Sequence, residues 1–156
     1  MDAATLVLGI GNLLMGDEGV GVHAIRALEQ EAWPPHVALL DGGTGGFHLL
    51  ESLQAHPHVV MIDATMDGQP AGTVSVLRPK YASDFPRALT AHDIGLRDLM
   101  ESAALVGGWP DITLVTVSID AVVPMVMTLS PPVAAALTEV ARLVRAQVDA
   151  GVSAHA

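Results

Sequence analysis

The sequence predicts a single-domain, three-layer α/β fold in which a twisted, mostly parallel sheet lies between helices. Short runs of Val, Leu and Ile alternate with longer segments whose apolar residues recur at helical spacing. These short runs are apolar at nearly every position, which is typical of strands covered on both faces. The chain has 156 residues, 51% of them apolar and 15% charged, enough for one domain with a sizeable core. We expect the domain to span 1–150 and a flexible tail to follow over 151–156.

Each element has its own signal. The β-branched and Leu-rich runs predict strands, in chain order, over residues 5–9, 37–40, 59–62, 73–77 and 112–119. The fourth run alternates as an edge strand does. Helical spacing predicts helices over 17–30, 47–55, 95–105 and 130–148, and 79–90 is expected to be a long irregular loop. Ser130 and Pro131 mark the start of the last helix, because a Ser side chain accepts orphan N–H bonds and Pro lacks an N–H that the first turn would leave unpaired.

Composition excludes several classes of function. Seventeen acidic residues against seven basic ones give a net charge of -10, and the basic residues are scattered, so nucleic acids and anionic membranes are poor partners. The absence of cysteine excludes disulfides, thiolate metal sites and Cys nucleophiles. The charge-free stretch 121–138 contains three prolines, so we expect a loop and a buried helix there, and no membrane insertion. A cytoplasmic setting is expected.

The loop after the first strand has the spacing of a phosphate-binding loop with its charge inverted. Gly9 and Gly11 begin like a dinucleotide fingerprint, and Asp41 ends the second strand where a ribose-binding acid would lie. However, Asp17 and Glu18 stand where a P-loop has Lys and Ser or Thr. Two carboxylates would repel a pyrophosphate by several kcal/mol as an order-of-magnitude estimate. A cation site is therefore favoured over dinucleotide binding, while simple stabilisation of the helix start stays an equal alternative.

Two more polar residues follow predicted strands. Asp63 comes directly after the third strand, and His92 lies just ahead of the third helix. Taken singly, Asp63 is better explained as a turn cap acting through Thr65, and His92 as a loop or helix-cap residue. Together with Glu18 they form an oxygen, oxygen and nitrogen set that suits a first-row divalent metal such as nickel, zinc or cobalt.

The glycine-rich run after the second strand is a candidate peptide-binding loop. It comprises Gly42, Gly43, Thr44, Gly45 and Gly46. Glycine-rich turns can expose N–H groups that bind a peptide or a carboxylate. A loop that merely packs closely against its neighbour is an equally good explanation.

These segments together resemble the [NiFe]-hydrogenase maturation endopeptidases. The similarity lies in five ordered motifs: VLGIGNLLMGDEGVG at 7–21, DGGTGG at 41–46, VMIDA at 60–64, TAHDIGL at 90–96 and LSPPV at 129–133. The resemblance implies a five-stranded sheet and a monomer that cuts a C-terminal extension from the precursor of a hydrogenase large subunit after nickel insertion. Its metal-contacting residues fall on Glu18, Asp63 and His92, and the nickel is implied to be carried by the precursor. The segment 118–125 lacks the Gln-Pro or Glu-Pro element of many members, which bears on the type of hydrogenase served.

The predicted mechanism uses the same residues. The precursor's nickel site would dock against Glu18, Asp63 and His92, Asp17 or Asp63 would accept a proton from the attacking water, and residues 42–46 would hold the tail extended. A maturation chaperone that binds nickel or the precursor without cutting is the alternative. A dinucleotide-binding domain is the third class.

Overall fold

The protein forms a five-stranded sheet between two helical layers. The structure, a computed structural model, describes residues 4–44, 46, 48–87, 89 and 96–155, with side chains as far as residue 150. The strands are β1 (Thr5–Gly9), β2 (Val37–Asp41), β3 (His58–Thr65), β4 (Val74–Leu77) and β5 (Asp111–Ser118). The helices are α1 (Val20–Leu28), α2 (Leu49–Gln54), α3 (Leu96–Val106) and α4 (Pro131–His155). Two short 3-10 helices cover Gly16–Gly19 and Ala82–Asp84.

The strand order is β2-β1-β3-β5-β4, and the fold class predicted from the sequence is confirmed. β1 pairs in parallel with both β2 and β3, and β3 pairs in parallel with β5. β4 lies at one edge, antiparallel to β5, as its alternating pattern predicted. Because the chain leaves β1 for β2 on one side and later returns to β3 on the other, the loops after β1 and β3 diverge at the carboxyl edge of the sheet. Ligands bind at such divergence points in open α/β sheets.

Each face of the sheet has its own core. On one face, α1 and α4 cover Val7, Val60, Ile62, Val115 and Val117. On the other face, α2 and α3 cover Leu8, Met61, Leu114 and neighbouring residues, with Phe85 and Trp109 in edge-to-face contact beside them. Successive side chains along β3 and β5 point to opposite faces of the sheet, so each of them lies on the side of one core or of the other.

Several predicted boundaries differ from the observed ones. The predicted helix 17–30 is divided, because its first turn, Gly16–Gly19, is a 3-10 helix that packs against β3. β2 is half-buried, since it lies at an edge of the sheet. α4 continues through His155, so the backbone of residues 151–155, predicted as part of a tail, is helical. The loop predicted over 79–90 contains the second 3-10 helix.

The charge-free stretch 121–138 divides as predicted into a loop and the first turns of α4, where Val133 and Ala136 are buried. In the described part of the chain, no helix is long and apolar enough to cross a membrane.

Candidate active site

Three glycines, Gly9, Gly19 and Gly21, bring the end of β1 and the loop after it into backbone contact with the segment that follows. A Cβ atom on Gly9 would overlap the carbonyl of Gly21, and one on Gly21 would overlap the carbonyls of Ile10 and Ile62. A Cβ on Gly19 would come within 2.9 Å of the Asn12 carbonyl oxygen. The glycine spacing that looks like a dinucleotide fingerprint therefore serves close packing of this loop, β3 and the start of α1.

Glu18 lies inside the turn that these glycines form. Its side chain is buried, with 5% of the residue exposed, and its Oε2 accepts a hydrogen bond of 2.7 Å from the backbone N–H of Asn12. The Asn12 side chain in turn accepts a bond of 2.9 Å from the N–H of Leu14. In a phosphate-binding loop such an N–H would face the phosphate. Here a carboxylate of the chain itself takes that position, which agrees with the charge argument against a dinucleotide.

Asp63 is part of β3, whereas the sequence analysis placed it after the strand. The strand continues to Thr65 because β5 pairs with it over its whole length, with Asp63 opposite Thr116. The alternative of a turn cap through Thr65 is therefore wrong. Asp63 is 9% exposed, and its Oδ1 accepts a 2.9 Å bond from the N–H of Ala64. By alternation with Met61 it projects from the face that α2 and α3 cover.

Asp17 has a partner that the sequence analysis did not identify. Its Oδ1 accepts a bond of 2.7 Å from the backbone N–H of Ser130, and its Oδ2 accepts one of 2.6 Å from the Ser130 hydroxyl. Asp17 therefore joins the 3-10 helix that carries Glu18 to the start of α4. The hydroxyl of Ser130, predicted to accept bonds from α4, donates this one. The proton-acceptor role predicted for Asp17 stays a prediction, but both of its carboxylate oxygens already accept hydrogen bonds.

The loop after β2 closes against the loop after β1. Within the loop after β2, Asp41 Oδ1 accepts a bond of 2.8 Å from the N–H of Gly43. Two backbone bonds join the loops: the N–H of Gly42 donates to the Gly9 carbonyl at 2.8 Å, and the N–H of Gly11 donates to the Gly43 carbonyl at 2.7 Å. The N–H groups of Gly42 and Gly43 are thus engaged, so the prediction that they are available to a peptide is wrong for these two.

A small cavity of about 170 Å³ lies between the two loops, with Asn12, Leu13, Asp41 and Gly43 in its wall and the exposed Thr44 at its rim. This cavity borders the turn that holds Glu18, because Asn12 belongs to both. Gly45, the other predicted loop residue, lies outside the described residues.

The predicted metal ligands are only partly within the described residues. Glu18 and Asp63 lie on elements that pack against each other, because the 3-10 helix Gly16–Gly19 contacts β3. His92, with most of the fourth motif, lies outside the described part of the chain. Within the described part, no three His, Asp or Glu residues are grouped so as to hold a metal ion. Of the three predicted ligands, the described residues therefore include the two acids, Glu18 and Asp63, and not the histidine.

The pKa of His23, on α1, is lowered from its ordinary value. The residue is half-buried, and burial lowers its pKa, with a smaller lowering by the charge of Arg26 and an opposing effect of Asp17. Among the described residues its Nε2 has no hydrogen-bond partner. The surroundings of this histidine favour the neutral form.

Comparison with known proteins decides the family. A family profile described as hydrogenase maturation protease matches residues 22–147. The chain belongs to the hydrogenase maturation protease family. A protein of this family is a peptidase, and the resemblance inferred from the five motifs is confirmed.

The individual relatives agree with the family. The hydrogenase 2 maturation protease of Escherichia coli is 37% identical over 134 residues, which cover 83% of this chain and 81% of that protein. The hydrogenase expression/formation protein HupM of Azotobacter chroococcum is 38% identical over 108 residues, 67% of this chain, but this chain spans only 52% of that protein. The solved structure of the hydrogenase maturating endopeptidase HybD from E. coli superposes with a TM-score of 0.78 at 34% identity, covering 92% of this chain and 93% of that one.

Proposed function

We propose that this maturation protease removes the C-terminal extension of a nickel-loaded [NiFe]-hydrogenase large-subunit precursor, and that it does so as a monomer in the cytoplasm. The observation that carries the proposal is the pair of buried carboxylates, Glu18 and Asp63, on packed elements at the carboxyl edge of the sheet, in a chain of this family. Each carboxylate accepts a backbone N–H bond within the chain, and carboxylate oxygens also ligate divalent metals, which supports contact with a metal that the substrate carries.

The roles follow from the chemistry of each group. Glu18, Asp63 and His92 contact the nickel that the precursor carries, since oxygen and imidazole nitrogen both ligate nickel. Asp63 accepts a proton from the water that attacks the scissile carbonyl. Asp17 is the alternative acceptor, and both of its oxygens accept bonds from Ser130. The tail lies in the small cavity that Gly43 and Thr44 line together with Asn12 and Leu13.

The test is co-expression of the precursor with Glu18→Gln, Asp63→Asn or His92→Ala variants, followed by mass spectrometry of the large subunit. We expect each variant to lose the mass decrease that the wild type produces, with Asp63→Asn slowed by about 10²-fold or more if it removes the proton acceptor. Asp120→Asn, an exposed acid in the loop before α4, is the matched control and should cleave normally. Normal cleavage by all three site variants would contradict the assignment.

The same experiment separates the alternative function. A maturation chaperone would bind the precursor and leave its mass unchanged. Repeating the measurement in nickel-starved cells tests the metal, because a protease that recognises nickel should leave the precursor uncut there, whereas cutting that is independent of nickel would show that the metal is not the recognition element.

A further inference from the structure

An apolar surface adjoins the turn that holds Glu18. It consists of Leu14, Val123, Met125 and Met127, which are 48%, 46%, 85% and 59% exposed, and we call these four residues the apolar platform. The chain carries no charged residue from 121 to 138, so the loop that supplies three of the four side chains is uncharged throughout. A cluster of large exposed apolar residues beside a binding site is typical of a protein-interaction surface.

Backbone hydrogen bonds fix the platform to the site loop. The N–H of Met125 donates to the Leu14 carbonyl at 2.7 Å, and the N–H of Gly16 donates to the Val126 carbonyl at 2.7 Å. A parallel bridge links Met15 with Val126. The two segments thus form a short two-stranded ribbon, and Gly16 lies two residues before Glu18.

Met125 is held in a conformation that disfavours its residue type. Its φ is 65°, the one positive value among the described residues other than glycine. The left-handed region costs a residue with a Cβ roughly 1–2 kcal/mol. Strained conformations of this kind persist where the surrounding structure imposes them, and they concentrate at functional surfaces. The Met125 side chain is 85% exposed, so burial of this side chain within the chain does not offset the strain.

The far end of the same loop is tied down by Asp17. Its two bonds to Ser130, of 2.7 and 2.6 Å, fix the residue that precedes α4 to the 3-10 helix carrying Glu18. The loop is therefore attached at both ends to the segment 14–18, through the ribbon on one side and the Asp17–Ser130 contact on the other.

We propose that the apolar platform is the docking surface for the folded large-subunit precursor, and that Asp17 is a positioning residue that sets the platform relative to Glu18. This inference rests on the proposed function and names its partner surface: an uncharged, apolar face of the precursor next to its C-terminal extension. The precursor is the occupant because the platform is bonded to the residues flanking Glu18.

The platform is tested by placing a charge on it. We expect Met125→Glu and Met127→Glu each to raise the KM for the nickel-loaded precursor by about tenfold, or 1.4 kcal/mol, while kcat changes by less than about threefold, because docking is impaired and the reacting groups are not. Leu105→Glu is the matched control: Leu105 is 87% exposed but lies on α3, near the opposite edge of the sheet, and its substitution should leave KM unchanged. Circular dichroism checks that each variant is folded.

The role of Asp17 is tested by variants that keep or remove its bonds. An Asn at this position can still accept from the Ser130 N–H and donate to the Ser130 hydroxyl oxygen, whereas an Ala can do neither. We expect Asp17→Ala to raise KM by about tenfold and Asp17→Asn to raise it much less, with Ser130→Ala intermediate and Ser130→Thr close to the wild type. A loss of kcat in Asp17→Asn as large as in Asp17→Ala would show that Asp17 is a proton acceptor and overturn the positioning role.

Binding measurements separate failure of this inference from failure of the proposed function. If Glu18→Gln abolishes cleavage but Met125→Glu leaves KM unchanged, the platform is not the docking surface and the proposed function stands. If the wild type never shortens the precursor, the Kd of the complex between the protease and the precursor still tests the docking surface. A tenfold higher Kd for Met125→Glu supports docking on the platform, and an equal Kd overturns it. A wild-type dimer in solution that Met125→Glu separates would assign the platform to a second copy of the chain instead.

Discussion

At the scale of single residues, one hydrogen bond explains why a loop with the glycine spacing of a phosphate-binding turn serves another purpose. The N–H of Asn12 donates to the Glu18 carboxylate at 2.7 Å. An anion approaching this turn would meet a negative charge that already occupies the donor. The glycines are still needed, because Gly19 lies too close to the Asn12 carbonyl to carry a side chain. The same glycine spacing thus serves backbone packing in place of phosphate binding.

This bond leads to a prediction about nucleotides. We expect titration with NAD, followed by calorimetry, to show no saturable binding up to millimolar concentration, since several kcal/mol of repulsion weaken an affinity by more than a hundredfold. AMP, which carries a phosphate without the nicotinamide half, should behave in the same way. Saturable binding of NAD at micromolar concentration would restore the dinucleotide hypothesis.

The sequence predicts the placement of some residues and misses the contacts of others. Glu18 and Asp63 could be placed at one edge of the sheet because parallel strands end at the same edge. Their roles stay predictions. The Asp17–Ser130 contact joins residues 113 positions apart, and each has a common local explanation, a first-turn acid and a helix cap. Such a pair can be recognised only once the fold has placed its members together.

At the scale of elements, the end of β1 and the start of α1 are in direct backbone contact. Apolar runs were sufficient to predict all five strands. They could not predict that β3 extends through Asp63 to Thr65, since that extension depends on pairing with β5. Nor could they predict that Gly21 packs against the carbonyls of Ile10 and Ile62, because spacing alone does not distinguish a glycine that binds a ligand from one that packs on backbone.

Replacing Gly21 tests this packing. Its Cβ would overlap two backbone oxygens, which cannot move aside as a side chain can, so we expect Gly21→Ala to lower the free energy of unfolding by about 3 kcal/mol or more. Gly68→Ala is the control: Gly68 has a φ of 84° but no atom within 4 Å of the added Cβ, so the cost should be only about 1 kcal/mol of backbone strain. Urea denaturation measures both. Equal losses in the two variants would contradict the overlap.

At the scale of the whole molecule, two of the seventeen acidic residues that give the net charge of -10 are buried in the described part of the chain. Glu18 and Asp63 lie at the carboxyl edge of the sheet, and both are buried. Close by, burial keeps the pKa of His23 below its ordinary value, so the histidine adds no positive charge to this region near neutral pH.

The shifted pKa of His23 makes stability depend on pH. Because the folded state binds this proton less readily than the unfolded state, stability is complete above about pH 6.5 and falls as the pH drops through the unfolded value of His toward the folded one. We expect His23→Gln to flatten the decline of the unfolding free energy between about pH 7 and pH 5. His48→Gln, on an exposed residue, should keep the wild-type slope. An unchanged slope in His23→Gln would show that other groups cause the decline.

The contact between Asp17 and Ser130 also has a consequence for protein synthesis. At a translation rate of 5–20 residues per second, the 113 positions that separate the two residues take about 6 to 23 seconds to make. Throughout that interval the nascent chain has its glycine loop and its first acidic residues but neither α4 nor the contact that fixes the loop before it. The Asp17–Ser130 contact therefore cannot form until residue 130 has been synthesised, well after the glycine loop and the 3-10 helix that carries Glu18.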